Sequence, residues 1–301
     1  NMTDTQNEVF KTPVNKIRLF EHGAPGSQNL KLTRKYYTED MPDGRVKHIV
    51  QNITDPDIVP YIPDGIGNST DRQRIPAVLI IPGGAFRRLV YNFEGEDVAK
   101  WLNSMGIAAF VLECRLPSDE HDNAEDVPLI DAMRAMRVIR GRAQEFGIDE
   151  AKIGVMGFSA GGFMAALLST AYESDVYADY KYKDEYDKLS ARPDFAVCSY
   201  PVISIDDCIE AGKRYMSEEQ VLERISDSKA KILHKYNPDK LVRPDMPPVF
   251  ICETDDDRTT LSENSVGFYM AARKAGVSAE LHIFRTGGHG YGCAAGRRHD
   301  H

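Results

Sequence analysis

No apolar run in the 301-residue chain exceeds six residues, as in 107–112, whereas a membrane-spanning helix needs roughly 20. Basic charge is also in deficit: 37 Lys and Arg stand against 46 Asp and Glu, a net charge of −9. That balance argues against a protein that tracks nucleic-acid phosphates and against a polybasic membrane clamp. Tryptophan occurs once, and the cysteines number five, an odd count with no CxxC spacing. A disulfide framework is therefore not expected. Cys114, Cys198 and Cys252 lie in apolar stretches and read as small core residues. Internal repeats, low-complexity linkers and a charged-then-apolar leader are all missing. The expectation is a cytoplasmic enzyme-like domain, with secretion open should a leader have been removed.

What is present is alternation. After a weakly patterned opening, β-rich stretches at 31–38 and 46–54 are followed by a Pro/Asp/Gly-rich segment, 55–71, that reads as a loop. Apolar strands at 76–81, 107–112, 152–156, 195–199, 248–252 and 279–284 then alternate with helical spacing at 95–105, 127–146, 160–172 and 262–275. Continuous apolar strands separated by helices predict an α/β fold, a mostly parallel sheet covered on both faces. The whole of 1–301 reads as one domain, with 1–75 as an N-terminal segment carrying edge strands and 290–301 as a tail. Two polar stretches, 173–192 with its four tyrosines and 203–246, read as insertions overhanging the ligand crevice.

The chemistry concentrates in Gly157-Phe158-Ser159-Ala160-Gly161, a G-x-S-x-G between the strand KIGVM and an apolar helix. Such a strand-to-helix turn raises the serine hydroxyl at a helix N-terminus that favours negative charge. Ser159 is the candidate nucleophile. Its oxyanion needs two donors: the N–H of Ala160 and a donor from Pro82-Gly83-Gly84-Ala85, where Gly83 and Gly84 are the candidates. A base should follow the last strand, and His289 in Arg285-Thr286-Gly287-Gly288-His289-Gly290 is the candidate. His282 reads as strand packing, whereas His22, His48, His121 and His234 read as surface. An orienting acid belongs between them in sequence, and the run Asp255-Asp256-Asp257 follows the strand VFICE. Spacing leaves the choice among the three open. Glu94, Glu96 and Asp97 read as charges complementing a helix N-terminus, Trp101 and Leu102 as an apolar helix face, and Asp131, Arg134 and Arg137 as a surface ion network.

These stretches together resemble the α/β-hydrolase fold, over about residues 76–290. The similarity is to the esterase branch related to hormone-sensitive lipases and bacterial acetyl (xylan) esterases. It rests on IPGGAF, EGEDVAKWLNSMGIAAFVLECRLP, VMGFSAGGFMAALL, PPVFICETDDDRTTLSENS and AELHIFRTGGHG. The resemblance implies Ser159 as nucleophile, His289 as base and Asp257 as acid, with Asp256 as the alternative. It implies serine-dependent hydrolysis of short-chain esters, acetyl esters on carbohydrate among them, with no metal and no organic cofactor. Two departures stand out: Pro82 where relatives often carry His, and Arg258-Thr259-Thr260-Leu261 after the acid where Pro-Val-Val-Pro is usual. The rival readings are an amidase or acyltransferase of the same fold, and a binding module that has lost catalysis. The tyrosines of 173–192 suit stacking on a sugar or covering the core.

Overall fold

The computed structural model describes residues 10, 14–66, 73–225 and 227–294. The tail histidines His299 and His301 lie outside these residues. In chain order the strands are β1 (Ile17–Arg18), β2 (Lys35–Asp40), β3 (Val46–Gln51), β4 (Asp57–Tyr61), β5 (Ile75–Ile81), β6 (Leu89–Val90), β7 (Ala108–Glu113), β8 (Ile148–Phe158), β9 (Ala196–Ser199), β10 (Val249–Thr254) and β11 (Ala279–Phe284). The helices are α1 (Asp97–Ser104), α2 (Val127–Gly141), α3 (Ala143–Phe146), α4 (Ala160–Ala171), α5 (Ile205–Lys213), α6 (Glu218–Arg224), α7 (Asp227–Lys235) and α8 (Ser262–Lys274). Eight strands form one sheet in the order β1-β4-β7-β5-β8-β9-β10-β11, and β2, β3 and β6 form a second. From β7 to β11 every neighbour is parallel; β4 runs antiparallel to β7, and β1 to β4. This is the α/β-hydrolase fold, and it places the carboxyl ends of β5, β8, β9, β10 and β11 along one rim.

The central strands explain their own sequence. β7, AAFVLE, is buried at every position because helices cover both faces, which is why it reads as an unbroken apolar run. β11 differs. It is the outermost strand, and four of its six residues are exposed. His282 accordingly lies half-exposed, 2.6 Å from Glu280, and packs on the outer face of the strand with its ring stacked on Phe250 and Phe284.

Several expectations are corrected. The segment 55–71 holds β4, whose Ile58 and Val59 are fully buried against β7. Its Pro60 and flanking acids disguised a strand near the sheet edge. The helix expected over 127–146 breaks at Arg142, and Gly147 at φ +68° closes the short α3. Asp131 and Arg134 are not on the surface. Asp131 forms a wholly buried pair with Arg115, with Nη2···Oδ1 at 2.7 Å, and Arg134 grips Asp184 with two bonds of 2.6 Å. Trp101 is half-exposed while Leu102 is buried, so only the latter faces the core. His121 is buried with Nδ1 2.8 Å from the Ser27 hydroxyl, and burial beside Arg115 pushes its imidazole down to about 4.

The segment 173–192 packs along α2. Helix α4 runs away from the crevice, so its end at Ala171 delivers the chain to the rim where the strands begin. There Arg137 and Arg140 of α2 bond the Leu189, Ser190 and Arg192 carbonyls. Tyr177 is buried with its hydroxyl on Asp187, and Tyr180 donates to the Gly23 carbonyl. Both rings pack edge-on against Phe20 and so cover the core beside α2. The segment 203–246 does leave β9 next to Ser159, where Val202 N–H donates to the Ser159 carbonyl at 3.2 Å.

Candidate active site

Ser159 occupies the sharp turn between β8 and α4 at φ 55°, ψ −118°. A side-chain-bearing residue there is strained by about 1–3 kcal/mol, and the surroundings hold it. The Ser159 N–H donates to the Ser199 carbonyl on β9 at 3.0 Å, and its carbonyl accepts from Phe163 within α4. The flanking glycines are required by close approach. A Cβ on Gly157 would stand 1.9 Å from the Gly161 carbonyl oxygen, and one on Gly161 would stand 2.0 Å from the Ile81 oxygen. Ala160, at the first position of α4, has an N–H with no partner inside its helix.

His289 reaches over from the loop after β11. Its Nε2 lies 2.9 Å from Ser159 Oγ, and its Nδ1 lies 2.7 Å from Asp257 Oδ2. A carboxylate only accepts, so Nδ1 carries the proton and Nε2 turns its lone pair toward the serine hydroxyl. Asp257 is buried, and its other oxygen takes the Thr259 and Thr260 N–H groups at 2.8 Å each. Those two bonds replace the usual turn after the acid. Asp255 and Asp256 are exposed. Asp256 accepts from the Gly288 N–H at 2.8 Å, which holds its carboxyl below the usual carboxylate range. It fastens the histidine loop without touching the ring. Thr254 Oγ1 adds a second stitch, to the Gly288 carbonyl.

The oxyanion loop departs from expectation at one residue. The Gly83 N–H is already taken, donating to Glu94 Oε2 at 2.8 Å, so Gly83 is not free as an oxyanion donor. Gly84 adopts φ +149°, where a Cβ would stand 2.0 Å from the Arg88 oxygen. Ala85 and Phe86 follow at φ 57° and 62°. Two successive left-handed non-glycine residues need an anchor, and Phe86 provides it edge-on against Phe163 of α4, 5.5 Å between centroids. Gly83, Gly84 and Ala160 border a small apolar crevice of about 10 Å³, lined also by Phe86, Leu116 and Met164.

Three buried polar residues escaped the sequence reading. Glu94 does not serve a helix dipole; it lies beneath the site, with burial pushing its carboxyl up and the nearby His289 opposing. Tyr200, at φ 36°, donates to Glu94 Oε1 at 3.0 Å and sets its ring 4.9 Å from that of His289. Glu253 is wholly buried one turn before Asp257. Burial, reinforced by the Asp257 charge and opposed by the Thr254 N–H, pushes its carboxyl up to about 9. Their only sequence signal was an acid or tyrosine directly beside a strand end. Among the described residues no group of three or more His, Cys, Asp or Glu side chains is placed to hold a metal, and no helix is long and apolar enough to cross a membrane.

The BD-FAE family pattern matches residues 66–271. The chain belongs to that family, whose members are α/β-hydrolase esterases. It is 31% identical over 218 residues to an acetylxylan esterase of Xylanibacter ruminicola, covering 72% of this chain and 41% of the relative. A similar match, 31% over 221 residues, links it to endo-1,4-beta-xylanase B of Butyrivibrio fibrisolvens, covering 73% and 33%. The chain thus spans less than half the length of these curated relatives. Among solved structures, the acetyl ester-xyloside bifunctional hydrolase of Caldicellulosiruptor lactoaceticus superposes with a TM-score of 0.69 at 34% identity, covering 94% of this chain and 90% of that one. The carboxylesterase Cest-2923 of Lactobacillus plantarum shares the fold at a TM-score of 0.64 and 21% identity, covering 90% of each.

Proposed function

We propose that this chain hydrolyses short-chain carboxylic esters, acetyl esters on carbohydrate foremost, with Ser159 as nucleophile. The observation that carries the reading is the unbroken relay from Ser159 Oγ through both His289 nitrogens to Asp257. Ser159 Oγ attacks the ester carbonyl carbon as its proton passes to His289 Nε2. The N–H groups of Ala160 and Gly84 receive the oxyanion, and Asp257 stabilises the imidazolium. Collapse of the tetrahedral adduct expels the alkoxide, which takes the proton from Nε2. Water then attacks the acyl-serine by the same route, releasing the acid and restoring Ser159.

The small apolar crevice beside Gly84 and Ala160 supports a short acyl group. Its enclosed volume of about 10 Å³ holds little more than a water-sized group. The names of two similar proteins, an acetylxylan esterase and an acetyl ester-xyloside hydrolase, support acetyl and a xylose-based leaving group. The test is a series of p-nitrophenyl acetate, butyrate and octanoate followed by acetylated xylo-oligosaccharides. Each excess methylene is worth about tenfold or more in a closed pocket. kcat/KM should therefore fall at least tenfold from acetate to octanoate, with acetate released from the oligosaccharide. Octanoate turned over as fast as acetate would contradict the acyl assignment.

A further inference from the structure

The Glu94 carboxylate joins segments that the proposed mechanism uses separately. One oxygen accepts from the Gly83 N–H in the oxyanion loop at 2.8 Å, and the other accepts from the Tyr200 hydroxyl at 3.0 Å. The same Tyr200 hydroxyl accepts from the Gly292 N–H at 3.0 Å, in the loop that carries His289. Gly292 is held tightly there, since a Cβ on it would stand 2.6 Å from the Phe93 carbonyl oxygen. The Tyr200 ring lies edge-on to His289 at 4.9 Å and to Tyr291 at 4.6 Å. A single buried carboxylate thus ends a chain of donors reaching from one wall of the crevice to the other. No other side chain accepts from the Gly83 N–H among the described residues.

We infer that Glu94 is a positioning residue for ester hydrolysis, acting with Tyr200 to fix the oxyanion loop against the histidine loop. With Gly83 turned inward to Glu94, the next peptide, at Gly84, is left to face the developing oxyanion. With Gly292 pinned by Tyr200 on one side and Gly288 by Asp256 on the other, His289 is held at both ends of its loop. The chemistry demands both at once. Oxyanion donors stabilise the transition state only if they are already in place, so a loosened loop lowers kcat more than it raises KM. This inference rests on the esterase reading above.

Glu94→Ala removes both bonds. Glu94→Gln can still accept from Gly83 through its oxygen while donating to the Tyr200 oxygen through its nitrogen. On p-nitrophenyl acetate, Glu94→Ala should lower kcat about 100-fold, the scale of one oxyanion donor, with KM changed less than about threefold. Glu94→Gln should recover kcat to within about tenfold of the unaltered chain. Tyr200→Phe, which keeps the ring against His289 and deletes only the hydroxyl, should lower kcat about tenfold. The inference is overturned if Glu94→Ala keeps kcat within threefold, if the loss falls on KM, or if Glu94→Gln is as impaired as Glu94→Ala. Should Glu94→Ala fail to fold by circular dichroism, Tyr200→Phe decides: unchanged kcat overturns the inference. Ser159→Ala, measured alongside, separates the two claims. Turnover surviving in that variant defeats the esterase reading itself, whereas its loss with Glu94→Ala and Tyr200→Phe unchanged defeats only the positioning role.

Discussion

At the scale of single residues, burial decides which carboxylates can do what. Asp257 accepts three N–H bonds and is hidden from water, whereas Asp256 is exposed and accepts from the Gly288 backbone, not from the ring. An orienting carboxylate keeps the histidine tautomer, and losing it in a serine protease lowers kcat about 10⁴-fold. Asp257→Asn should therefore reduce kcat by several orders of magnitude. Asp256→Asn retains an oxygen for Gly288 and should cost less than about tenfold; steady-state kinetics on one ester compares them. A reversed ranking would move the acid to Asp256. Glu253 illustrates the opposite use of burial. Its carboxyl stays neutral in the fold up to about 9 but ionises near its ordinary 4.5 in the unfolded chain. The sign follows from linkage: its contribution is fully favourable below about 4.5 and is lost progressively as pH rises toward about 9. Glu253→Gln, which cannot ionise, should therefore gain in Tm relative to the unaltered chain between pH 5 and pH 8. A gap that is flat or shrinks over that range would show that Glu253 ionises in the folded protein.

At the scale of elements, the parts that could be read from sequence are those whose partners are close in sequence. The turn from β8 into α4 was legible because its glycines bracket Ser159 at fixed spacing, and a Cβ on Gly157 would stand 1.9 Å from the Gly161 oxygen. The strand-to-loop passage was legible at Gly84 for a local reason as well, since a Cβ there would stand 2.0 Å from the Arg88 oxygen. What each N–H does was not. Glu94 lies eleven residues from Gly83 and 106 from Tyr200, so nothing local distinguished an acceptor beneath the site from a charge at a helix start. The strand β4 was hidden by Pro60, and the ends of the sheet could not be told apart. The buried Arg115–Asp131 pair was illegible too, because an arginine and an aspartate sixteen residues apart look like any surface pair until both are enclosed.

At the scale of the whole molecule, the sheet is what makes a site out of distant residues. The parallel order from β7 to β11 brings Gly84, Ser159, Tyr200, Asp257 and His289 to one rim, although they span most of the chain. Three acids of the site, Glu94, Glu253 and Asp257, are buried behind that rim, and the crevice beside Ala160 is apolar. Family membership and this rim agree on ester hydrolysis, and the route proposed above passes through one hydroxyl. The measurement that tests this most directly is kcat/KM of Ser159→Ala on p-nitrophenyl acetate, with circular dichroism to confirm the fold. The hydroxyl contributes little packing, so the variant should fold normally and lose at least about 10⁴-fold in kcat/KM. A folded variant that kept even a tenth of the original kcat/KM would contradict the account.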